Sequence, residues 1–151
     1  MKYKVGILSV LVMLFTAAVR AESDPQNFFQ NYTRLGDDFN PMVAELYDDS
    51  AKIHAYRVYP HGLERNMEFT GAQWKELVKK VMPLAKLQND NSTFSDIKIS
   101  EIEGGYKLKA NRYSKRKCYT DTGYYMILKK QENGSLAILE EYMETKPLPN
   151  C

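Results

Sequence analysis

Cysteine, histidine and tryptophan are scarce in this 151-residue chain, which has two, two and one of them. The cysteines, Cys118 and Cys151, and the histidines, His54 and His61, show no spacing typical of metal ligands. We therefore expect no metal site, and no motif in the chain indicates a cofactor.

A large net charge is also missing, since 21 basic side chains face 19 acidic ones. Three of the basic residues, Lys2, Lys4 and Arg20, lie within the first 21 positions, where there are no acids. The rest of the chain is close to neutral, so its overall charge does not favour nucleic acid as a partner.

Long apolar runs are absent except at the start of the chain, where one of about 15 residues follows Lys4. Met1–Ala21 has the basic start, apolar core and small residues before the cleavage point that are typical of a signal peptide. We expect one domain over residues 22–151, in the periplasm or secreted, with no stable membrane insertion after cleavage. An uncleaved membrane anchor is the alternative, although the run is shorter than the roughly 20 residues that span a bilayer.

Two cysteines outside the cytoplasm predict a disulfide between Cys118 and Cys151. An intermolecular bridge or two free thiols are the alternatives. The asparagines at 31, 91 and 133 each begin a glycosylation sequon, which matters only in a host that glycosylates secreted proteins.

The order of predicted elements is helix, helix, strand, strand, helix and then four strands. Asp24-Pro25 and Asn40-Pro41 begin the first two helices, and Thr70 caps the third. The predicted strands cover residues 51–59, 65–69, 93–102, 106–119, 123–130 and 136–145. This order is typical of an α+β domain with an antiparallel meander.

Short strings in this order resemble the nuclear transport factor 2-like superfamily over essentially all of residues 25–146. The strings are Phe29-x-x-Tyr32, Leu46-Tyr47, Asp49-Ser50-Ala51-Lys52-Ile53, Phe69-Thr70-Gly71 and Ala137-Ile138-x-Glu140-Glu141-Tyr142. The resemblance implies a cystatin-like cone, in which three helices pack in the concave face of a curved, mostly antiparallel six-stranded sheet.

The resemblance also implies an apolar pocket inside the cone, and members of the superfamily include isomerases, dehydratases, ligand binders and association modules. Aligned with ketosteroid isomerase, Tyr32 lies close to that family's oxyanion-hole tyrosine. Ala55 replaces the catalytic carboxylate, and Met126 lies near the position of the second acid. Isomerase chemistry in that form is therefore not expected, because a methyl group cannot act as a base.

The same alignment turns Leu139, Glu141 and Met143 inward and makes Glu141 a carboxylate in an apolar pocket. We predict that it either forms an ion pair with Arg57 or, with Tyr32 or Tyr124, binds or protonates a ligand. The predicted ligand-binding residues are Tyr32, Arg57, Trp74, Tyr124, Met126, Glu141 and Met143.

A basic strip with interleaved tyrosines lies between positions 106 and 119. We interpret it as a solvated strand face, and the alternative outside the cytoplasm is a surface for anionic lipid or polysaccharide. The strip consists of Lys107, Lys109, Arg112, Lys115, Arg116 and Lys117, with Tyr106, Tyr113 and Tyr119.

Three functions remain open from the sequence. The first is a binding domain for a small apolar ligand, without catalysis. The second is a lyase, isomerase or hydrolase that uses Glu141 and Tyr32 as weak catalytic candidates. The third is a homodimeric interaction module that pairs through the outer face of the sheet, and a homodimer is compatible with all three.

Reduction of the protein, or the substitution Cys151→Ser, is expected to lower the melting temperature. Closing a loop of about 33 residues contributes on the order of 3–4 kcal/mol in the chain-entropy model. Thermal unfolding followed by circular dichroism measures the change. A melt for Cys151→Ser that matches the wild type would contradict the predicted disulfide.

Overall fold

The structure is a computed structural model that describes residues 23–148. The predicted signal peptide Met1–Ala21 and Cys151 lie outside the described residues. Cys118 is not a free cysteine, and its pairing with Cys151 stays a prediction.

Two α-helices begin where the sequence predicts them. Helix α1 covers Pro25–Asp37, and the Asp24 carboxylate accepts the backbone N–H groups of Gln26 and Asn27, each at 2.9 Å. Helix α2 covers Gly71–Gln88, with a capping box formed by Thr70 and Gln73. These caps supply the acceptors that the first turn of each helix needs.

The predicted second helix differs from the expectation in type and in where it ends. Pro41–Leu46 forms a 3-10 helix, and β1 begins at once, covering Tyr47–Val58. The sequence analysis placed the start of this strand at Ala51. The strand begins earlier because the polar residues between Tyr47 and Lys52 lie in a bulge, where the pairing with β7 shifts register.

One sheet contains all seven strands. The order across it is β2-β1-β7-β6-β4-β3, with β5 paired to β4, and only β1 and β7 run parallel. The strands after β1 are β2 Glu64–Thr70, β3 Ser92–Ile102, β4 Gly105–Ser114, β5 Tyr119–Asp121, β6 Tyr125–Lys130 and β7 Leu136–Thr145. The α+β class and the curved, mostly antiparallel sheet are confirmed, with the short β5 as an additional strand.

Helix α2 lies directly against β1 at its first residue. A Cβ atom on Gly71 would approach the carbonyl oxygen of Asp48 to 1.7 Å, so only glycine fits here. This contact fixes the start of α2 on the sheet, and the rest of the helix then forms one wall of a cavity.

A β-bulge in β7 changes which side chains face the core. Leu128 pairs with Ile138, whereas Ile127 pairs with Glu140, so Leu139 is the extra residue. The expectation that Leu139 turns inward is therefore wrong: Ile138 is fully buried and Leu139 is half-buried. Glu141 lies beyond the bulge and faces the core as expected.

Neither helix of residues 23–148 combines the length and apolar character needed to cross a bilayer.

Candidate functional site

A fully buried carboxylate, that of Glu141, is the centre of a network of tyrosine hydroxyls. The Tyr32 and Tyr124 hydroxyls donate hydrogen bonds to Oε1 at 2.9 and 2.6 Å. The Tyr47 hydroxyl donates to Oε2 at 2.5 Å. Three donors thus replace the water that a carboxylate loses on burial.

Four separate elements bring these groups together. Glu141 comes from β7, and Tyr32 reaches the sheet from the inner face of α1. Tyr47 is the first residue of β1, and Tyr124 directly precedes β6. The network therefore joins the first helix to the middle of the sheet.

The predicted ion pair between Arg57 and Glu141 is wrong. Ile53 is the β1 residue that pairs with Glu141, and Arg57 pairs with Thr145, about 13 Å further along the strand. The Arg57 guanidinium lies 4.6 Å from the centre of the Tyr59 ring. No cation of the described chain lies within 4.0 Å of Glu141, and its carboxylate is stabilised by hydrogen bonds from the three phenols.

The hydroxyls hold their protons firmly. Burial raises the pKa values of Tyr47 and Tyr124 well above 10, and the negative charge of Glu141 raises them further. The pKa of Tyr32 is raised for the same two reasons, and the positive charge of Arg112 opposes the increase. These phenols therefore remain neutral donors at physiological pH.

A cavity of about 200 Å³ opens beside the network, between α1, α2 and strands β3 and β4. Tyr32 and Tyr47 separate it from Glu141, which does not line it. The walls are mainly aromatic and aliphatic. The lining includes Tyr32, Gly36, Phe39, Val43, Tyr47, Trp74, Val78, Val81, Met82, Ala85, Asn91, Phe94 and Arg112.

Three polar groups of the cavity wall lack a partner in the described chain. Trp74 Nε1 and Asn91 Oδ1 are buried atoms without a hydrogen bond. The half-buried Arg112 side chain makes no ion pair within 4.0 Å and no hydrogen bond there. Buried polar groups in proteins are nearly always bonded, so exceptions that share one cavity indicate a place for a ligand or water.

The predicted site residues fall into three groups. Tyr32 and Trp74 line the cavity. Tyr124, Met126 and Glu141 are buried beneath it and do not line it. Arg57 and Met143 also lie outside the lining: Arg57 stacks on Tyr59, and Met143 packs against the core in a half-buried position.

The sequence analysis missed Arg112 and Tyr47 as cavity residues. Arg112 shares its strand parity with the buried Leu108 and Ala110, and this alternation would have separated it from the exposed lysines of the basic strip. Tyr47 was missed because the predicted β1 began four residues too late.

Two other basic residues of the strip contact neighbouring side chains. Lys107 lies over the Tyr125 ring, and Lys117 forms an ion pair with Asp90 at 3.1 Å. Residues 23–148 contain no group of three or more histidine, cysteine or acidic side chains that could hold a metal ion.

Comparison with known sequences gives no match, either to a protein family or to a curated protein. Solved structures match well in fold. An NTF2-like protein of unknown function from Pseudomonas putida aligns with a TM-score of 0.54 at 10% identity, over 80% of this chain and 83% of that one. The chain has a nuclear transport factor 2-like fold.

Two further structures share this nuclear transport factor 2-like fold. A putative ketosteroid isomerase from Parabacteroides distasonis gives a TM-score of 0.54 at 14% identity, over 83% of this chain and 95% of that one. The beta subunit of a putative aromatic-ring-hydroxylating dioxygenase from Novosphingobium aromaticivorans gives a TM-score of 0.51 at 14% identity, over 82% of this chain and 87% of that one. At such identities the likeness extends to the fold alone.

The tyrosine network predicts a loss of stability at alkaline pH. In the unfolded chain a phenol ionises near pH 10, whereas in the folded protein Tyr47 and Tyr124 keep their protons to higher pH. The folded state then binds more protons, so the free energy of unfolding falls by about 1.4 kcal/mol per pH unit for each such tyrosine.

Urea unfolding at a series of pH values above 9 measures this slope. Tyr47→Phe and Tyr124→Phe should each reduce it, while Tyr113→Phe, at an exposed position, should leave it unchanged. Equal slopes in all four proteins would show that the network does not hold its protons in this way.

Proposed function

We propose that this protein is a binding domain for a small molecule, which occupies the cavity between α1, α2 and strands β3 and β4. The observation that carries the proposal is that polar groups without an ion pair or hydrogen bond in the described chain, above all Arg112 and Asn91 Oδ1, meet in a wall that is otherwise mainly apolar. Ligand sites in proteins combine apolar walls with a few convergent polar groups in this way.

The size of the cavity limits the ligand. A volume of about 200 Å³ is below the roughly 300–1,000 Å³ of drug-sized sites. It exceeds the roughly 150 Å³ of a cavity that binds benzene. One substituted ring therefore fits better than a steroid-sized molecule.

Binding is favoured over catalysis because the buried acid has no access to the cavity. Glu141 is surrounded by three phenols, and two of these form the wall between it and the cavity. The enzymatic alternative depends on Tyr32, which both lines the cavity and bonds to Glu141 at 2.9 Å. In that case Tyr32 would pass a proton between a substrate and the carboxylate.

The domain is proposed to act in the periplasm or after secretion, once the signal peptide Met1–Ala21 has been removed. The basic start and the short apolar core of that segment support this location.

Filling the cavity is expected to abolish binding without unfolding the protein. Gly36 lines the cavity, and a Cβ atom there would meet no atom within 4 Å. Gly36→Phe directs a ring into this open space, whereas the matched Gly36→Ala variant leaves most of the volume free. We expect Gly36→Ala to keep the wild-type stability or exceed it by up to about 1 kcal/mol.

Occupancy can be followed by the fluorescence of Trp74, which is the one tryptophan of the chain and lines the cavity. Small aromatic compounds should change the emission of the wild type and of Gly36→Ala but not that of Gly36→Phe. Native mass spectrometry of protein from its own host would identify a retained ligand. An equal response of all three proteins would contradict the assignment of this cavity.

A homodimer through the outer sheet face is proposed as the assembly that carries this site. One row of paired residues crosses this face and passes from an acidic end through two stacked tyrosines to a basic end. The row is Glu68, His54, Tyr142, Tyr125, Lys109 and Lys98. Two copies related by a twofold axis would place the acidic end of one against the lysines of the other.

Charge reversal tests this arrangement. Lys98 and Lys109 are directly opposite each other and repel, so an acidic partner surface would relieve an existing strain. Lys109→Glu should shift the protein towards monomer in sedimentation velocity, and the addition of Glu68→Lys should restore the dimer. A wild-type protein that stays monomeric at every concentration tested would exclude the proposed homodimer.

A further inference from the structure

We propose that the cavity binds a small aromatic carboxylic acid as its anion, with Arg112 as the residue that selects the negative charge. This inference rests on the proposed binding function and names the class of ligand. It follows from the charge, the hydrogen-bonding groups and the ring content of the same wall.

The cation is available because its neighbours are already bonded. Asp121 pairs with Arg112 in the sheet, but its carboxylate accepts the backbone N–H groups of Gly123 at 2.8 Å and Glu144 at 2.6 Å. Asp90, also in the lining, forms its ion pair with Lys117 at 3.1 Å. A half-buried guanidinium without an anion of its own is a strong site for a carboxylate, which it can bind through two parallel hydrogen bonds.

The buried acid does not compete for this cation. Glu141 is the other buried acid of the core besides Asp121, and all three phenols around it direct their donors to its two oxygens. Arg112 is close enough to the network to lower the pKa of Tyr32, yet it forms no ion pair there. The carboxylate is therefore stabilised by hydrogen bonds without a counter-ion, and the Arg112 guanidinium remains available to a ligand.

The rim carries one further acid, Asp37, which is exposed at the end of α1. Its charge is in contact with water and is screened by it. Arg112 is half-buried, so less water screens its attraction for a bound anion than screens the repulsion between that anion and Asp37.

The other polar groups fit the same ligand. Trp74 Nε1 can donate a hydrogen bond to a carboxylate oxygen, and Asn91 Oδ1 can accept one from a hydroxyl or amine substituent. Five aromatic side chains line the space, those of Tyr32, Phe39, Tyr47, Trp74 and Phe94. Phe94 meets Tyr32 at 65° and Trp74 meets Tyr47 at 66°, so ring edges and faces are both available to an aromatic guest.

Matched pairs of small compounds test the charge preference on the full folded protein. Benzoate and phenylacetate are compared with their neutral amides, and benzylamine serves as a cation of similar size. We expect the acids to bind at least about 10-fold more tightly than the amides, since hydrogen bonds between charged groups are the stronger kind. Trp74 fluorescence gives the affinities, and its single indole N–H signal in a nitrogen–proton NMR spectrum reports contact with the carboxylate.

The variant Arg112→Gln should remove the preference, weakening the acids by about 10- to 100-fold while the amides bind as before. Arg112→Lys keeps the charge and should retain part of the preference. Lys52→Gln is the matched control, because it removes one positive charge from an exposed position of β1 outside the cavity lining and should change neither affinity.

The outcomes separate this inference from the function on which it rests. Amides or benzylamine that bind as well as the acids, with Gly36→Phe blocking them, would overturn the anion preference and leave the binding function intact. Equal loss for acids and amides in Arg112→Gln, in a protein that unfolds at the wild-type urea concentration, would likewise overturn the role of Arg112. A lack of any binding in the cavity would overturn both.

Discussion

The burial of one carboxylate is the constraint around which the rest of the molecule is arranged. An ionised acid in an apolar core is stable only when donors replace its lost water, and here three phenols do so. Those phenols belong to α1, to the start of β1 and to the residue before β6. The position of α1 on the sheet is thus determined by a polar contact in the core as well as by the packing of Phe28 and Phe29.

The same arrangement separates the two charges that a site could use. Glu141 is enclosed behind Tyr32 and Tyr47, whereas Arg112 borders the cavity. In the ketosteroid isomerase pattern the acids reach the substrate, but here Ala55 and the buried Met126 stand at the two aligned positions. The cavity lining thus holds Arg112 and hydrogen-bonding groups, with Asp90 paired to Lys117 and Asp37 exposed at the rim.

Much of the fold could be predicted from local signals, because caps and alternation act over a few residues. Asp24 and Thr70 indicated helix starts that the structure confirms. The predicted strand over residues 106–119 instead ends at Ser114, and a turn and the short β5 follow it. Bulges were the main source of error. The bulge in β1 moved the strand start to Tyr47, and the bulge in β7 placed Ile138 instead of Leu139 in the core, and neither has a clear signature in the sequence.

The site was predictable in part for a related reason. The alignment correctly turned Glu141 inward. Strand parity carries no information on the offset along a strand, so Arg57 was given the wrong partner. Arg112 was grouped with the lysines of the basic strip, although the sequence shows that it lies on the same strand face as Leu108 and Ala110. Which polar group lies open to a cavity depends on packing between distant elements, and this is decided only in three dimensions.

The parallel pairing of β1 and β7 has a consequence for how the protein folds. The strand that carries Glu141 lies in the middle of the sheet, between β1 and β6, yet nearly all of the described chain precedes it. Until residues 136–145 join the sheet, β1 and β6 both present an open hydrogen-bonding edge, and three phenols lack their acceptor. The contacts that close this sheet are therefore distant in sequence, and a chain without a docked β7 is the form most exposed to aggregation.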